Sequence, residues 1–109
     1  YELDDLDRAI VYNEARGFVE VITPTGKDQI LGATVVGAHG GELLATLALA
    51  MRHRLGLKKI LGTVHAYPTF MEANKFVAGQ WSRAHLPARL LRWVAAYHTW
   101  LRGRPGKLP

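Results

Sequence analysis

The chain has 109 residues, 49% of them apolar and 21% charged, with a formal net charge of +5 and no cysteine. This length and composition predict a single globular domain and exclude a disordered or fibrous chain. The lack of cysteine excludes a disulfide, a thiolate metal site and a redox dithiol within these residues, and no apolar run reaches the roughly 20 residues that span a bilayer.

Three strands are predicted in the first part of the chain. Residues 8–13 are β-branched at Ile10 and Val11, and residues 18–23 alternate with period two after a turn at Gly17. A Pro-Thr-Gly-Lys-Asp turn at residues 24–28 leads into a third strand at residues 29–36. Together these segments predict an antiparallel meander.

From Gly40 onward the apolar period becomes helical, and Gly56 is the expected C-terminal cap of this helix. Residues 57–60 are predicted to form a turn, and residues 62–65 a brief fourth strand that ends before Pro68. The predicted apolar stripe of the helix consists of Leu44, Leu47, Met51 and Leu55.

Two further helices are predicted. Thr69 and Glu72 have the spacing of a capping box at the start of one helix, and Pro87 suits the first turn of the other, which ends at Gly103. Residues 104–109 are predicted to be loose. The apolar positions of the two helices are Ala73, Phe76, Val77 and Trp81, then Leu90, Val94, Tyr97 and Leu101.

Strands followed by helices are typical of an α+β fold. We therefore expect an antiparallel sheet of three to five strands with helices packed on one face.

Five sequence blocks occur in an order that resembles a known family. They are Asp-Arg-Ala at 7–9, Gly-Phe at 17–18, Ile-Leu-Gly-Ala at 30–33, Gly-Ala-His-Gly-Gly-Glu-Leu at 37–43 and His-Ala-Tyr-Pro-Thr-Phe-Met-Glu at 65–72. Over about residues 7–85 the chain resembles the dimerisation domain of the pyridine nucleotide-disulfide oxidoreductases, the family of dihydrolipoamide dehydrogenase, glutathione reductase and mercuric reductase.

The resemblance implies the antiparallel fold and a C-terminal dimerisation domain at residues 1–85. Residues 86–109 extend past the usual end of that domain, gain nothing from the resemblance, and are expected to form a helical extension and tail. It also implies a homodimer, and upstream FAD and NAD(P) domains in a cytoplasmic flavoprotein. The start at Tyr1, without an initiator Met or a signal sequence, is what an excised piece of a longer protein would show. Alone, the chain is expected to have neither cofactor nor activity.

In this family a histidine stands before the Pro-Thr pair and acts on thiols beside the partner's flavin. Tyr67 takes that place here, and Glu72 matches the glutamate that orients the family histidine. A tyrosine with an ordinary pKa near 10 is a poor base but can donate a hydrogen bond or a proton. The candidate catalytic residues are Tyr67, Glu72 and His65, which would lie on the same side as Tyr67 in an extended chain, and the candidate cofactor contacts are Pro68 and Thr69.

Other interpretations stay open at this point. Glu72 could serve only as a helix cap, and His65 and Tyr67 could form a packed pair at a strand end. The histidines lack a metal-ligand spacing, so no metal site is predicted.

Residues 1–50 carry 3 basic and 8 acidic side chains, whereas residues 51–109 carry 11 basic side chains and 1 acidic side chain. The alternative function is therefore a basic module that binds nucleic acid or an anionic membrane through the last helix, although core or subunit interface is the commoner use of an apolar stripe.

Overall fold

The sheet of the protein has two antiparallel strands, in a computed structural model that describes residues 1–103. Strand β1 (Gly17–Ile22) pairs with β2 (Gly32–Gly37). The turn between them is confirmed, because the Lys27 amide donates to the Pro24 carbonyl oxygen and Gly26 has a φ of +73°. The prediction of three to five strands was too high, and the predicted loose tail at residues 104–109 lies outside the described residues.

The first predicted strand, residues 8–13, is wrong. This segment forms helix α1 (Asp7–Val11), which follows a 3-10 turn (Leu3–Asp5). Ala9 of this helix and Leu6, the residue before it, are buried, whereas Ile10 and Val11 are exposed. Burial with a spacing of three is helical, so packing overrides the β propensity of the two branched residues.

The free edge of β1 pairs with the first residues of the chain, and not with the predicted strand at residues 8–13. Glu2 forms an antiparallel bridge with Phe18, and the Val19 amide donates to the Tyr1 carbonyl oxygen at 2.8 Å. This pairing extends the sheet by two residues without forming a third named strand.

Helix α2 (Gly40–Arg52) crosses one face of the sheet and buries Leu43, Leu47 and Ala50. The predicted stripe was wrong except for Leu47, because Leu44, Met51 and Leu55 are exposed.

Gly56 is not the cap of α2. Arg54 adopts the left-handed conformation, and the Leu55 amide donates to the Ala50 carbonyl oxygen. Gly56 instead begins α3 (Leu57–Leu61), the segment predicted as a turn, and a Cβ there would lie 2.2 Å from an Asp28 carboxylate oxygen. Its lack of a side chain serves close packing rather than helix termination.

The fourth predicted strand, residues 62–65, is also wrong. The Gly62 amide and the Thr63 hydroxyl donate to carbonyl oxygens of the last turn of α3. Val64 is 95% exposed, so this segment has no apolar side chain to bury against a sheet. The residues terminate a helix and begin a loop.

Helices α4 (Glu72–Ala84) and α5 (Ala88–Arg102) confirm the two predicted C-terminal helices. Helix α4 packs on α3 and approaches β1, and it buries Ala73 and Val77 as predicted, whereas Phe76 is partly exposed. The described core lies between the sheet, α1 and helices α2 to α4, and no side chain of α5 joins it.

Candidate functional site

The predicted site lies in the loop of residues 62–71, which connects α3 to α4, and in Glu72, the first residue of α4. The loop contains a cis peptide bond between Tyr67 and Pro68, and its last turn places Phe70 in the core. We call residues 65–72 the site loop. All five predicted site residues belong to it.

Glu72 closes the base of the site loop. It is only 7% exposed, and its carboxylate accepts the Thr69 amide at 3.1 Å. The Thr69 hydroxyl donates to the Ala66 carbonyl oxygen at 2.7 Å, so it does not cap the Glu72 amide. Of the two hydrogen bonds in the predicted capping box, the one from the Thr69 amide to the Glu72 carboxylate is therefore present. The one from the Glu72 amide to the Thr69 hydroxyl is replaced by the bond of that hydroxyl to Ala66.

Tyr67 projects from the tip of the loop and is 71% exposed. Its hydroxyl donates to a carboxylate oxygen of Asp7, at the start of α1, at 2.7 Å. This hydrogen bond, together with the negative charge of Asp7, raises the pKa of the Tyr67 phenol above its ordinary value of 10.0. Tyr67 therefore keeps its proton at neutral pH and is held in place by a residue distant in sequence.

His65 does not pair with Tyr67. Its Nδ1 lies 2.8 Å from the carbonyl oxygen of Thr63. A carbonyl oxygen only accepts, so this contact places a proton on Nδ1 and, in the neutral ring, leaves Nε2 as an acceptor. No described hydrogen bond joins the two side chains that the sequence placed on one side of the chain.

Pro68 and Thr69 line a shallow depression of about 270 Å³ beside the start of α2. His39 adopts the left-handed conformation there, and its ring centroid lies 4.4 Å from that of Phe70. The volume is below the range of roughly 300–1,000 Å³ that is typical of pockets that enclose a small molecule. The depression is therefore too small to enclose a dinucleotide.

Two further findings concern the rest of the described chain. Residues 1–103 contain no group of three or more His, Asp or Glu side chains that could hold a metal ion. None of the helices in this part is long and apolar enough to cross a membrane.

The comparison with protein families decides which kind of domain carries this loop. The sequence model described as "Pyridine nucleotide-disulphide oxidoreductase, dimerisation domain" matches residues 1–77. The chain belongs to this family. The resemblance carried by the five sequence blocks is thereby confirmed.

Curated relatives of the dimerisation domain include two kinds of enzyme. Dihydrolipoyl dehydrogenase 2 of Haloarcula marismortui is 41% identical over 66 residues, which cover 61% of this chain and 14% of that protein. Dihydrolipoyl dehydrogenase of Chlamydia trachomatis is 40% identical over 67 residues, covering 62% and 14%. Mercuric reductase of Acidithiobacillus ferrooxidans is 32% identical over 81 residues, covering 74% and 15%. The chain thus spans 14 to 15% of the length of these relatives.

The family match ends inside α4 of the dimerisation domain. It includes the whole site loop, and it excludes α5. The loop therefore belongs to the part of the chain that is similar to known enzymes, and α5 needs a separate explanation.

Sequence reasoning missed two polar residues of the dimerisation domain. Asp7 was recognised only as part of the Asp-Arg-Ala block, and nothing local links it to Tyr67. Asn74 is fully buried, and its amide donates to the Leu43 carbonyl oxygen at 3.0 Å, which ties α4 to α2. Its spacing of three to Val77 and seven to Trp81 was the available signal, because it places Asn74 on the buried side of α4.

Proposed function

We propose that this chain pairs two subunits of an FAD- and NAD(P)-dependent oxidoreductase and carries the site loop to the flavin of the partner subunit. The observation that carries the proposal is the state of Tyr67, which is exposed at the loop tip yet fixed through its hydroxyl to Asp7. An exposed aromatic side chain held in one orientation is prepared for a contact outside its own domain.

The subunit contact is proposed to involve one side of α2. Leu44, Ala48 and Met51, which we call the α2 stripe, follow one another at spacings of four and three and are exposed. That spacing places them along one side of the helix, next to the buried side. An exposed apolar stripe on a domain that pairs subunits is best explained as part of the paired surface.

The site loop provides two different polar groups. Tyr67 keeps its proton, so it acts as a positioned hydroxyl rather than as a base. His65 has its Nδ1 proton held by Thr63, so its Nε2 is the acceptor that can take a proton from a thiol. In this proposal His65 accepts the proton, and Tyr67 has an orienting role.

Glu72 is proposed as a positioning residue in this domain. It contacts the Thr69 amide, and the tyrosine hydroxyl is bonded to Asp7 instead. The partner that orients the side chain before Pro68 therefore differs from the one that the family pattern implies. FAD, when bound in the partner subunit, would supply the redox chemistry, and Pro68 and Thr69 would contact its edge.

The proposal is tested with Tyr67→His and Tyr67→Phe in the oxidoreductase that carries this domain. We expect Tyr67→His to change the pH dependence of thiol reactivity, because it adds beside His65 a second imidazole, a group that ordinarily titrates near pH 6.5. Tyr67→Phe is the matched control, since it keeps the ring and removes the hydroxyl. The same pH profile in all three proteins would refute the placement of the loop at the flavin.

The pairing of subunits is tested separately on the chain itself. We expect it to sediment as a dimer in which the α2 stripe is covered. A strictly monomeric chain would contradict the role of this stripe, whatever the pH profile shows.

A further inference from the structure

Helix α5 has no place in the core. All 15 of its residues are exposed, and it lies beyond the family match. The described molecule has a radius of gyration of 17.7 Å, whereas a compact domain of this length has one of about 13 Å. A helix that buries none of its residues and has no side chain in the core is available to something outside the domain.

The apolar side of α5 is wide and carries aromatic rings at its border. Leu90, Tyr97 and Leu101 lie along its centre at helical spacings. Trp93, which is 79% exposed, and Trp100 lie beside them, about two helical turns apart. Arg89 and Arg92 line the same open groove as the two tryptophans. The order across the helix surface is therefore aliphatic, then indole, then guanidinium, which is the order that a membrane–water interface favours.

The charge of α5 has one sign. The helix contains Arg89, Arg92 and Arg102, and no acidic residue follows Glu72 in the sequence. Two α5 helices packed together would bring six arginines together with no carboxylate between them. An anionic surface is the electrostatic complement of this helix.

We propose that α5 lies along an anionic lipid surface, with its aliphatic and indole side in the headgroup region and its arginines on the lipid phosphates. The acidic Leu3–Asp5 turn of a second copy would match the charge of α5, but Leu3 is fully buried. It offers no apolar surface for the rings, whereas a bilayer matches both charge and apolar side. A 15-residue helix of this composition lies on a bilayer and does not cross it.

The test is co-sedimentation of the chain with vesicles of phosphatidylcholine alone or mixed with phosphatidylglycerol. We expect binding only to the anionic vesicles, and release at high salt. Arg89→Gln/Arg92→Gln should weaken binding about thirtyfold, because each basic side chain near an anionic surface contributes a factor of about five. Arg52→Gln/Lys59→Gln removes the same charge from exposed positions outside α5 and should leave binding unchanged.

Tryptophan emission gives an independent measurement. Anionic vesicles should shift the emission to shorter wavelength, and Trp93→Phe/Trp100→Phe should remove the shift. Absence of binding at low salt, equal binding to neutral vesicles, or equal loss in both charge variants would overturn the proposal. So would a result in which the α5 variants alter self-association of the chain while no vesicle binds, because the occupant would then be a second copy.

Discussion

Asp7 and Tyr67 are separated by 60 positions in the sequence and joined by one hydrogen bond. The bond favours the neutral phenol, because a phenolate beside the Asp7 carboxylate would be repelled. Because the pKa of Tyr67 is raised in the folded protein, the hydrogen bond between Tyr67 and Asp7 stabilises the fold below pH 10. This stabilisation is lost as the pH rises through the pKa that Tyr67 has in the folded state.

Asp7→Asn is predicted to lower the pKa of Tyr67 toward 10.0, because it removes the charge and keeps the size of the side chain. The measurement is the absorbance of the phenolate during an alkaline titration. Burial raises the pKa of Tyr1 to about 12, and Asp7 contributes to this rise, so each titration is compared with that of the same protein carrying Tyr67→Phe. An identical Tyr67 titration with and without the Asp7 carboxylate would contradict the described pairing.

Gly17 and Gly37 form a pair across the sheet, and both have a positive φ. A Cβ on Gly17 would lie 1.9 Å from the Val36 carbonyl oxygen. Gly17→Ala is predicted to lower the free energy of unfolding by at least about 2 kcal/mol, through strain and displacement of β2. Gly41→Ala, at a helical position with open space around it, should change it by less than about 1 kcal/mol in denaturant titrations.

The local part of the site was predictable, and the distant part was not. The three-residue spacing of Thr69 and Glu72 indicates a contact at a helix start, and the structure contains one. The contact between Asp7 and Tyr67 depends on where α1 packs against the site loop. That packing arises from burial of Leu3, Leu6 and Ala9, which sequence spacing at Tyr67 cannot reveal.

Among the elements, α5 is predicted to be dispensable for folding. Because none of its side chains joins the core, a chain that ends at residue 86 should keep its unfolding temperature within about 2 °C. Leu47→Ala, which empties a fully buried position, should cost about 3 kcal/mol and serves as the control. A large loss of stability in the shortened chain would mean that α5 packs on the domain.

The elements with a clear apolar period were predicted correctly, and short segments were not. Strand β1 and helices α2, α4 and α5 have such a period over six or more residues. Residues 8–13 were assigned to a strand from the β-branched side chains of Ile10 and Val11, and residues 62–65 from their position before Pro68. Packing makes the first segment helical, and the second terminates helix α3. The same limit explains the error in the α2 stripe, because the sequence shows an apolar side but not which part of it the sheet covers.

For the assembled protein, the central expectation is a pair of chains with the α2 stripe in the contact. Met51→Lys is predicted to weaken dimerisation about thirtyfold or more, because it would bury an unpaired charge in the proposed contact. Leu49→Lys places the same charge on an exposed position on another side of α2 and should leave the dimer intact. Equal effects of the two variants in a dilution series would contradict the place of the α2 stripe in the interface.

The division into a domain at residues 1–85 and an extension at residues 86–109 stays a prediction, as does the flavin contact of the site loop.

Sedimentation equilibrium of the chain tests this account most directly, since each subunit has a mass of 12.1 kDa and a dimer is easily distinguished. The account predicts the mass of two chains at micromolar concentration, and an average mass shifted toward that of one chain for Met51→Lys under the same conditions. The mass of a single chain for the unmodified protein, even at the highest soluble concentration, would contradict it.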